Sequence, residues 1–305
     1  MNISALTTNI GKHIIGKPMT VELAVTAMLA GGHLLLEDVP GVGKTKLASA
    51  MAGSVGGSFH RIQMTPDVMP SDIAGYTFWN RQEGTMEFRR GVVFGNFLLA
   101  DEINRCSPKT QSALLEAMEE GQVSVDGVRY PLEQPFMVIA TQNPVETYGT
   151  YPLPEAQLDR FLMKLSVGYP GTEDSVRILE QEGALESAPV EQVMTVEELV
   201  AMQKAASELH MSDAVRRYII ALAEESRKVE GIRLGISPRG CLAMQKAARA
   251  AAYLAGEEYV TPDRVKDLAP YVWGHRLILA PGGRTKWGNG ENAIREILTY
   301  ITNPV

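Results

Sequence analysis

The sequence has few cysteines and no long apolar segment, and both absences narrow the class of protein. Its 305 residues include only Cys106 and Cys241, which are far apart and show no CxxC spacing. This excludes a disulfide framework and a cysteine zinc site, so we expect two reduced thiols that pack in the interior. No apolar run approaches the roughly 18 residues of a membrane span, and the start lacks the pattern of a secretory signal. We therefore expect a cytoplasmic protein without a membrane span.

Basic residues are also scarce relative to acidic ones. Lys and Arg total 29 against 36 Asp and Glu, which gives a formal charge of −7, and no block of five like charges occurs. Such a chain repels polyanions on average, so we expect no nucleic-acid partner. The length predicts two domains of about 150 residues each.

Apolar runs and helical segments alternate through the first 170 residues. This alternation predicts an α/β fold with a mostly parallel sheet flanked by helices. The expected strands are residues 33–37, 59–63, 97–101, 136–141 and 162–167. Residues 66–95 are too long for a plain crossover and predict an inserted element. Residues 107–120 predict a helix, and residues 122–131 predict a β-hairpin that turns at Asp126-Gly127.

Strand signals stop after residues 169–171, where we place the boundary between domains 1–170 and 171–305. Helix-capping patterns follow at Thr195, Ser212, Ser237 and Thr261, so the second domain is predicted to be all-α and smaller. Residues 173–198 are acidic; a solvated face is favoured there over a partner-docking face.

A glycine loop joins the first strand to a helix, at residues 38–45. A strand, a glycine loop and a helix start in this order form a phosphate cradle, in which Lys44 reaches the β and γ phosphates and Thr45 binds magnesium. The strict pattern has glycine where Asp38 stands, before the amides that approach phosphate. The predicted nucleotide-binding residues in this loop are Gly41, Val42, Gly43, Lys44, Thr45 and Lys46.

The third strand ends in Asp101 and Glu102. Asp101 is expected to hold magnesium through water, and Glu102 to orient or deprotonate the attacking water. Many strands end in acidic residues, so the pattern gains its value from following a glycine loop with one strand between. The histidines show no metal-ligand spacing, and no other metal is expected.

Three further polar residues are candidates for the nucleotide site, and two of them have a second interpretation. Asn143 follows the fourth strand and either holds water against the γ phosphate or opens a turn before proline. Arg160 either contacts transition-state phosphate or forms an ion pair with Asp159 or Glu155. Arg239 lies in the first turn of a predicted helix, where a positive charge is unfavourable unless an anion is close.

Beyond these motifs, the chain contains the stretches LLLEDVPGVGKT, RIQMTPDVMPSDIAG, LLADEINRCSPKTQSALLEAMEEGQV, IATQNP and LPEAQLDRF. The motifs together resemble the AAA+ superfamily, and these longer stretches are similar to the MoxR family. The resemblance implies that Lys44 and Thr45 belong to Walker A, Asp101 and Glu102 to Walker B, and Asn143 to sensor 1. It also implies an adenine contact at Ile14 and Ile15, an arginine finger at Arg160 and a sensor 2 at Arg239. The insert (66–95) and the hairpin (122–131) would face a central pore.

The resemblance implies a function as well. It predicts an ATPase that uses ATP and Mg²⁺ in a homo-oligomeric ring, a hexamer, and that matures or activates protein complexes such as metal-dependent enzymes. It also implies a protein client and a partner with a von Willebrand factor A domain. The alternatives are a metal-chelatase-type motor, a DNA-associated AAA+ motor and a nucleotide-binding scaffold without turnover.

Overall fold

The computed structural model describes residues 3–39, 41–144, 149–180 and 189–303. The chain divides into two compact units. The first contains Met1–Glu22, His33–Leu153 and Ser166–Val200, and the second contains Leu23–Gly32, Pro154–Leu165 and Ala201–Val305. The domain boundary at residues 170 and 171 stays a prediction.

Four parallel strands organise the first unit: β1 (Leu34–Glu37), β2 (Phe59–Gln63), β5 (Phe97–Asp101) and β8 (Met137–Gln142). They are neighbours in the order β2–β5–β8–β1. Glu37 pairs with Gln142 and Gln63 pairs with Asp101, so the strands end at a common edge. Apolar side chains in β1 and β5 are buried, as expected for parallel strands that are covered on both faces. The predicted parallel sheet is confirmed.

Helices flank these strands, as the alternating pattern predicts. Those that lie in or begin in the first unit are α1 (Ile3–His13), α2 (Pro18–Leu29), α3 (Lys44–Ser54), α4 (Pro70–Ala74), α5 (Pro108–Glu120), α7 (Thr172–Glu180) and α8 (Val196–Glu208). Ser107 caps α5 by accepting from the Thr110 amide. Thr195 and Glu198 form the predicted capping box of α8.

The inserted element consists of α4 and an antiparallel pair, β3 (Gly75–Asn80) and β4 (Thr85–Arg90). The predicted hairpin is β6 (Gln122–Val125) and β7 (Val128–Pro131). Asp126 and Gly127 both have positive φ, 49° and 79°, as a tight turn between antiparallel strands requires.

The second unit is mainly helical. Its further elements are α6 (Glu155–Leu158), β9 (Met163–Leu165), α9 (Asp213–Ser226), β10 (Ile232–Leu234), α10 (Pro238–Leu254), α11 (Pro262–Trp273), β11 (Ile278–Leu279), α12 (Pro281–Trp287) and α13 (Gly290–Ile297). Ser212 and Ser237 cap α9 and α10 through their side chains. The predicted helical character is confirmed, with one addition: β10 and β11 form a short antiparallel ladder that the sequence pattern did not signal.

Cys106 and Cys241 are free and buried, which confirms the prediction of packing thiols. No helix in the described part of the chain combines the length and the apolar character that crossing a bilayer requires. Residues 181–188 of the acidic segment and Pro40 of the glycine loop lie outside the described residues. The role of the acidic segment therefore stays a prediction.

Candidate functional site

The glycine loop enters α3 in a conformation that leaves room for an anion. Gly41 and Gly43 have φ of 84° and 93°, in the left-handed region that favours glycine. A Cβ atom at either position would have no neighbour within 4 Å, so the loop surface there is open. Lys44 begins α3, and the amides at a helix start point outward and attract negative charge.

Lys44 is buried, and its Nζ donates to the backbone carbonyl of Asp38 at 2.9 Å. The partner is a neutral acceptor, so this bond does not itself compensate the positive charge of Lys44. A buried charge without compensation is costly, and a phosphate group would supply the compensation.

Asp38 stands where the strict pattern has glycine, and its side chain stabilises the start of the loop. Its buried carboxylate accepts from the amide of Val39 through Oδ1 (3.1 Å). Through Oδ2 it accepts from the hydroxyl of Ser166 (2.9 Å) and the amide of Gly168 (2.6 Å). The aspartate therefore ties the start of the loop to residues 166–168, a role that glycine could not supply.

Asp101 and Glu102 are joined by the hydroxyl of Thr141, a residue that the sequence interpretation did not assign. Thr141 lies on β8, is fully buried, and donates through Oγ1 to Asp101 Oδ1 at 2.6 Å. The same oxygen accepts from the Glu102 amide at 2.8 Å. Its place at the end of a strand beside the acidic pair is the signal that could have identified it.

Glu102 has a left-handed backbone, with φ 58° and ψ 52°. Such a conformation is unfavourable for residues other than glycine, and it is found at functional sites that need a particular side-chain direction. Its Oε2 accepts from Gln63 (2.7 Å) and from Arg105 (3.0 Å). Arg61 donates to Asp101 at 2.8 Å. Both carboxylates are thus held in fixed directions at the sheet edge.

Replacing Thr141 with Val should lower ATPase kcat about tenfold, because the change leaves the part-buried Glu102 amide without this acceptor and removes one donor from Asp101. Such a loss costs about 1–3 kcal/mol. Thr141→Ser keeps the hydroxyl and should retain most of the activity. Steady-state ATPase assays, with thermal unfolding as a check on folding, would measure both. Equal loss in the two variants would contradict a role for the hydroxyl.

Asn143 is buried and follows β8 directly, at the edge where Asp38, Asp101 and Glu102 also lie. This placement is compatible with either interpretation of Asn143. Its role as sensor 1 stays a prediction.

Ile14 and Ile15 line one cavity of about 150 Å³ with the glycine loop. Lys17 borders the cavity, and its Nζ donates to the carbonyl of Tyr169 at 2.7 Å. Ile14 is buried as well, so part of its role is packing. The remaining lining residues are His13, Gly41, Val42, Gly43, Lys46, Gly168, Pro170 and Ile178. The apolar and glycine-lined walls suit a planar aromatic ring, but the adenine contact stays a prediction.

Arg160 lies in the second unit, in the turn after α6. The two carboxylates named as its alternative partners both contact other arginines. Asp159 accepts from Arg276 at 2.6 Å, and Glu155 lies 3.7 Å from Arg233. A carboxylate can accept from more than one donor, so both interpretations of Arg160 stay predictions.

Arg239 is exposed in the first turn of α10, as predicted. Ser237 caps that helix and also donates to Asp159 Oδ2 at 3.5 Å. Arg160 and Arg239 therefore lie next to the two ends of one short network within the second unit.

The comparisons with known proteins agree with this arrangement. Residues 33–163 match the model of the ATPase family associated with various cellular activities (AAA), and residues 224–297 match the AAA lid domain. The chain is 46% identical to the uncharacterized protein YeaC of Bacillus subtilis, over 97% of this chain and 93% of that protein. It is 39% identical to the chaperone MoxR1 of Mycobacterium tuberculosis, over 95% and 79% of the two chains.

Two further relatives extend the comparison. The chain is 32% identical to the protein MoxR of Paracoccus denitrificans, over 88% of this chain and 86% of that protein. A crystal structure of a proposed ATPase from Cytophaga hutchinsonii has a TM-score of 0.91 at 35% identity, covering 99% and 94% of the two chains. These similarities extend along nearly the whole chain, and the chain belongs to the MoxR family of AAA+ ATPases.

Proposed function

We propose that this ATPase binds ATP and Mg²⁺ at the common edge of β1, β5 and β8, and that it works as a hexameric ring. The observation that carries the proposal is the hydroxyl of Thr141, which holds Asp101 and Glu102 together at the edge where the Walker A lysine also lies. A cation, two carboxylates and open backbone amides are the groups that phosphoryl transfer requires.

The residues present fit a magnesium nucleotide. Thr45 supplies a half-exposed hydroxyl, and Asp101 supplies a carboxylate; both are the hard oxygen ligands that Mg²⁺ prefers. Gly41 and Gly43 leave space where a larger side chain would block the phosphates. When bound, Mg²⁺ neutralises charge on the phosphate oxygens.

Each side chain then has one task. The Lys44 Nζ donates to the β and γ phosphates in place of the Asp38 carbonyl. The Glu102 carboxylate orients the attacking water or accepts its proton, and the Asn143 amide helps to fix that water. Arg160 of a neighbouring subunit adds positive charge during transfer, so hydrolysis depends on assembly. Arg239 contacts phosphate and couples the lid to the nucleotide state.

ATP hydrolysis by this protein drives the maturation or activation of other protein complexes. A relative of 39% identity is named a chaperone, and this name supports the proposal. We extend the proposal to metal-dependent enzymes as clients and to a partner with a von Willebrand factor A domain, on the family resemblance. The insert (66–95) and the hairpin (122–131) are proposed to face the ring pore.

Assembly provides the test of this function. Glu102→Gln protein with ATP and Mg²⁺ should sediment at about six times the 33.3 kDa mass of one chain, because nucleotide completes the site between subunits. Lys44→Ala protein is the matched control, since it should not respond to ATP. Calorimetry on both variants would report ATP binding directly. Retained ATP binding together with a mass of one chain at all protein concentrations would contradict the ring.

A further inference from the structure

Arg276 holds the turn that carries Arg160. It ends a single 3₁₀ turn (Gly274–Arg276) after α11, and its side chain is only 3% exposed. Nε donates to Asp159 Oδ1 at 2.6 Å, and Nη2 donates to the carbonyls of Asp159 (3.2 Å) and Phe161 (2.7 Å). Nη1 donates to the carbonyl of Leu162 at 3.1 Å. One guanidinium therefore contacts the backbone on both sides of Arg160.

His275 adds a further hydrogen bond to the turn that carries Arg160, and it adds no charge. Its Nε2 donates to the carbonyl of Phe161 at 3.1 Å, since a carbonyl can only accept. Burial lowers the pKa of this imidazole well below its usual range, so it is neutral near pH 7. Of these two donors, Arg276 is therefore the charged one.

The energetics favour a rigid turn. Buried carbonyls need donors, and the planar guanidinium fork offers five N–H groups in fixed directions. Burial lowers the pKa of the Arg276 guanidinium, whereas Asp159 raises it and compensates the buried charge. The positive charge of Arg239 lowers the pKa of Arg276 in the same direction as burial.

We propose that Arg276 is the positioning residue of Arg160, fixing its direction through Asp159 and the carbonyls of residues 159, 161 and 162. The inference rests on the proposed role of Arg160 as the finger that acts on a neighbouring subunit. A displacement of about 1 Å in a catalytic group can reduce the rate about 100-fold. We call the contacts of Arg276 with residues 159, 161 and 162 the clamp, and its loss should therefore slow turnover. It is not needed for a subunit to bind its own ATP.

The test uses full-length Arg276→Lys protein, which keeps a positive charge for Asp159 and loses the fork. Its ATPase kcat should fall at least about tenfold, whereas the Kd for ATP, measured by calorimetry, should stay within about twofold. Arg264→Lys is the matched control, because Arg264 forms a forked pair with Glu257 in the same unit, away from the turn. The control should retain wild-type kcat.

Two combinations separate positioning from general stability. The Arg160→Ala, Arg276→Lys double variant should be no slower than Arg160→Ala alone, since a clamp has no effect once its finger is absent. In mixed rings, Arg276→Lys should regain activity with Lys44→Ala protein, which supplies an intact finger, and should gain none with Arg160→Ala protein.

Failure of the finger role of Arg160 and failure of the positioning role of Arg276 give different results. A wild-type kcat in the Arg160→Ala single variant would show that Arg160 is not an arginine finger. The positioning role of Arg276 would then be overturned as well. If Arg160→Ala lowers kcat and the double variant lowers kcat by a further factor, only the positioning role of Arg276 would be overturned. If Arg276→Lys fails to fold by circular dichroism, Asp159→Asn takes its place, since it removes the ionic contact and leaves the carbonyls. Normal kcat in that variant would overturn the inference.

Discussion

Replacing Glu102 with Gln is expected to lower ATPase kcat by about 10²- to 10³-fold while ATP binding is retained. General-base catalysis contributes about 10²- to 10⁴-fold, and an amide cannot accept the proton of the attacking water. The change keeps the shape of the side chain, and Gln63 and Arg105 can still donate to its carbonyl oxygen. The effect should therefore be confined to the chemical step.

Single-turnover hydrolysis and calorimetry would separate these effects. Glu116→Gln, on the exposed face of α5, is the matched control and should retain wild-type kcat. Hydrolysis by Glu102→Gln at the wild-type rate would remove the catalytic role of Glu102. Loss of ATP affinity would show instead that the carboxylate acts in binding.

The second large effect is expected at Arg160. In Arg160→Ala protein kcat should fall about 10³-fold or more, because an arginine supplied by a neighbour contributes about 10³- to 10⁵-fold in phosphoryl transfer. Lys44→Ala protein should be equally inactive for a different reason, since it cannot hold the phosphates. Both homogeneous preparations should be inactive.

Mixing the two variants should restore activity. At equal concentrations about one quarter of the interfaces in a randomly mixed ring pair an intact nucleotide pocket with an intact finger, and activity up to that fraction should return. Subunit exchange must be shown in the same samples, by energy transfer between labelled chains. Mixed rings that form but stay inactive at every ratio would show that Arg160 acts within its own subunit or not at all.

The sequence predicted those parts of the site that depend on local pattern. The order of strand, glycine loop and helix is continuous in the chain, so Lys44 and the start of α3 were predicted correctly. The acidic pair Asp101 and Glu102 follows a buried apolar strand, as the pattern indicated. The roles of these residues stay predictions until the experiments above are done.

Other parts depend on partners far along the chain, which a local pattern cannot show. Asp38 was seen only as a departure from glycine, because Ser166 and Gly168 are about 130 residues away. Arg276 lies 117 residues from Asp159 and carries no motif that would link the two. The ladder of β10 and β11 was missed because each strand is too short to show a period.

The buried thiols simplify labelling in the mixing experiments. Burial raises the pKa of the Cys106 thiol to about 11, and it raises the pKa of Cys241 as well. Thiolate is the reactive form, so both groups should react slowly with maleimide dyes at neutral pH. A fluorophore can therefore be attached through one introduced surface cysteine, with the natural cysteines left in place.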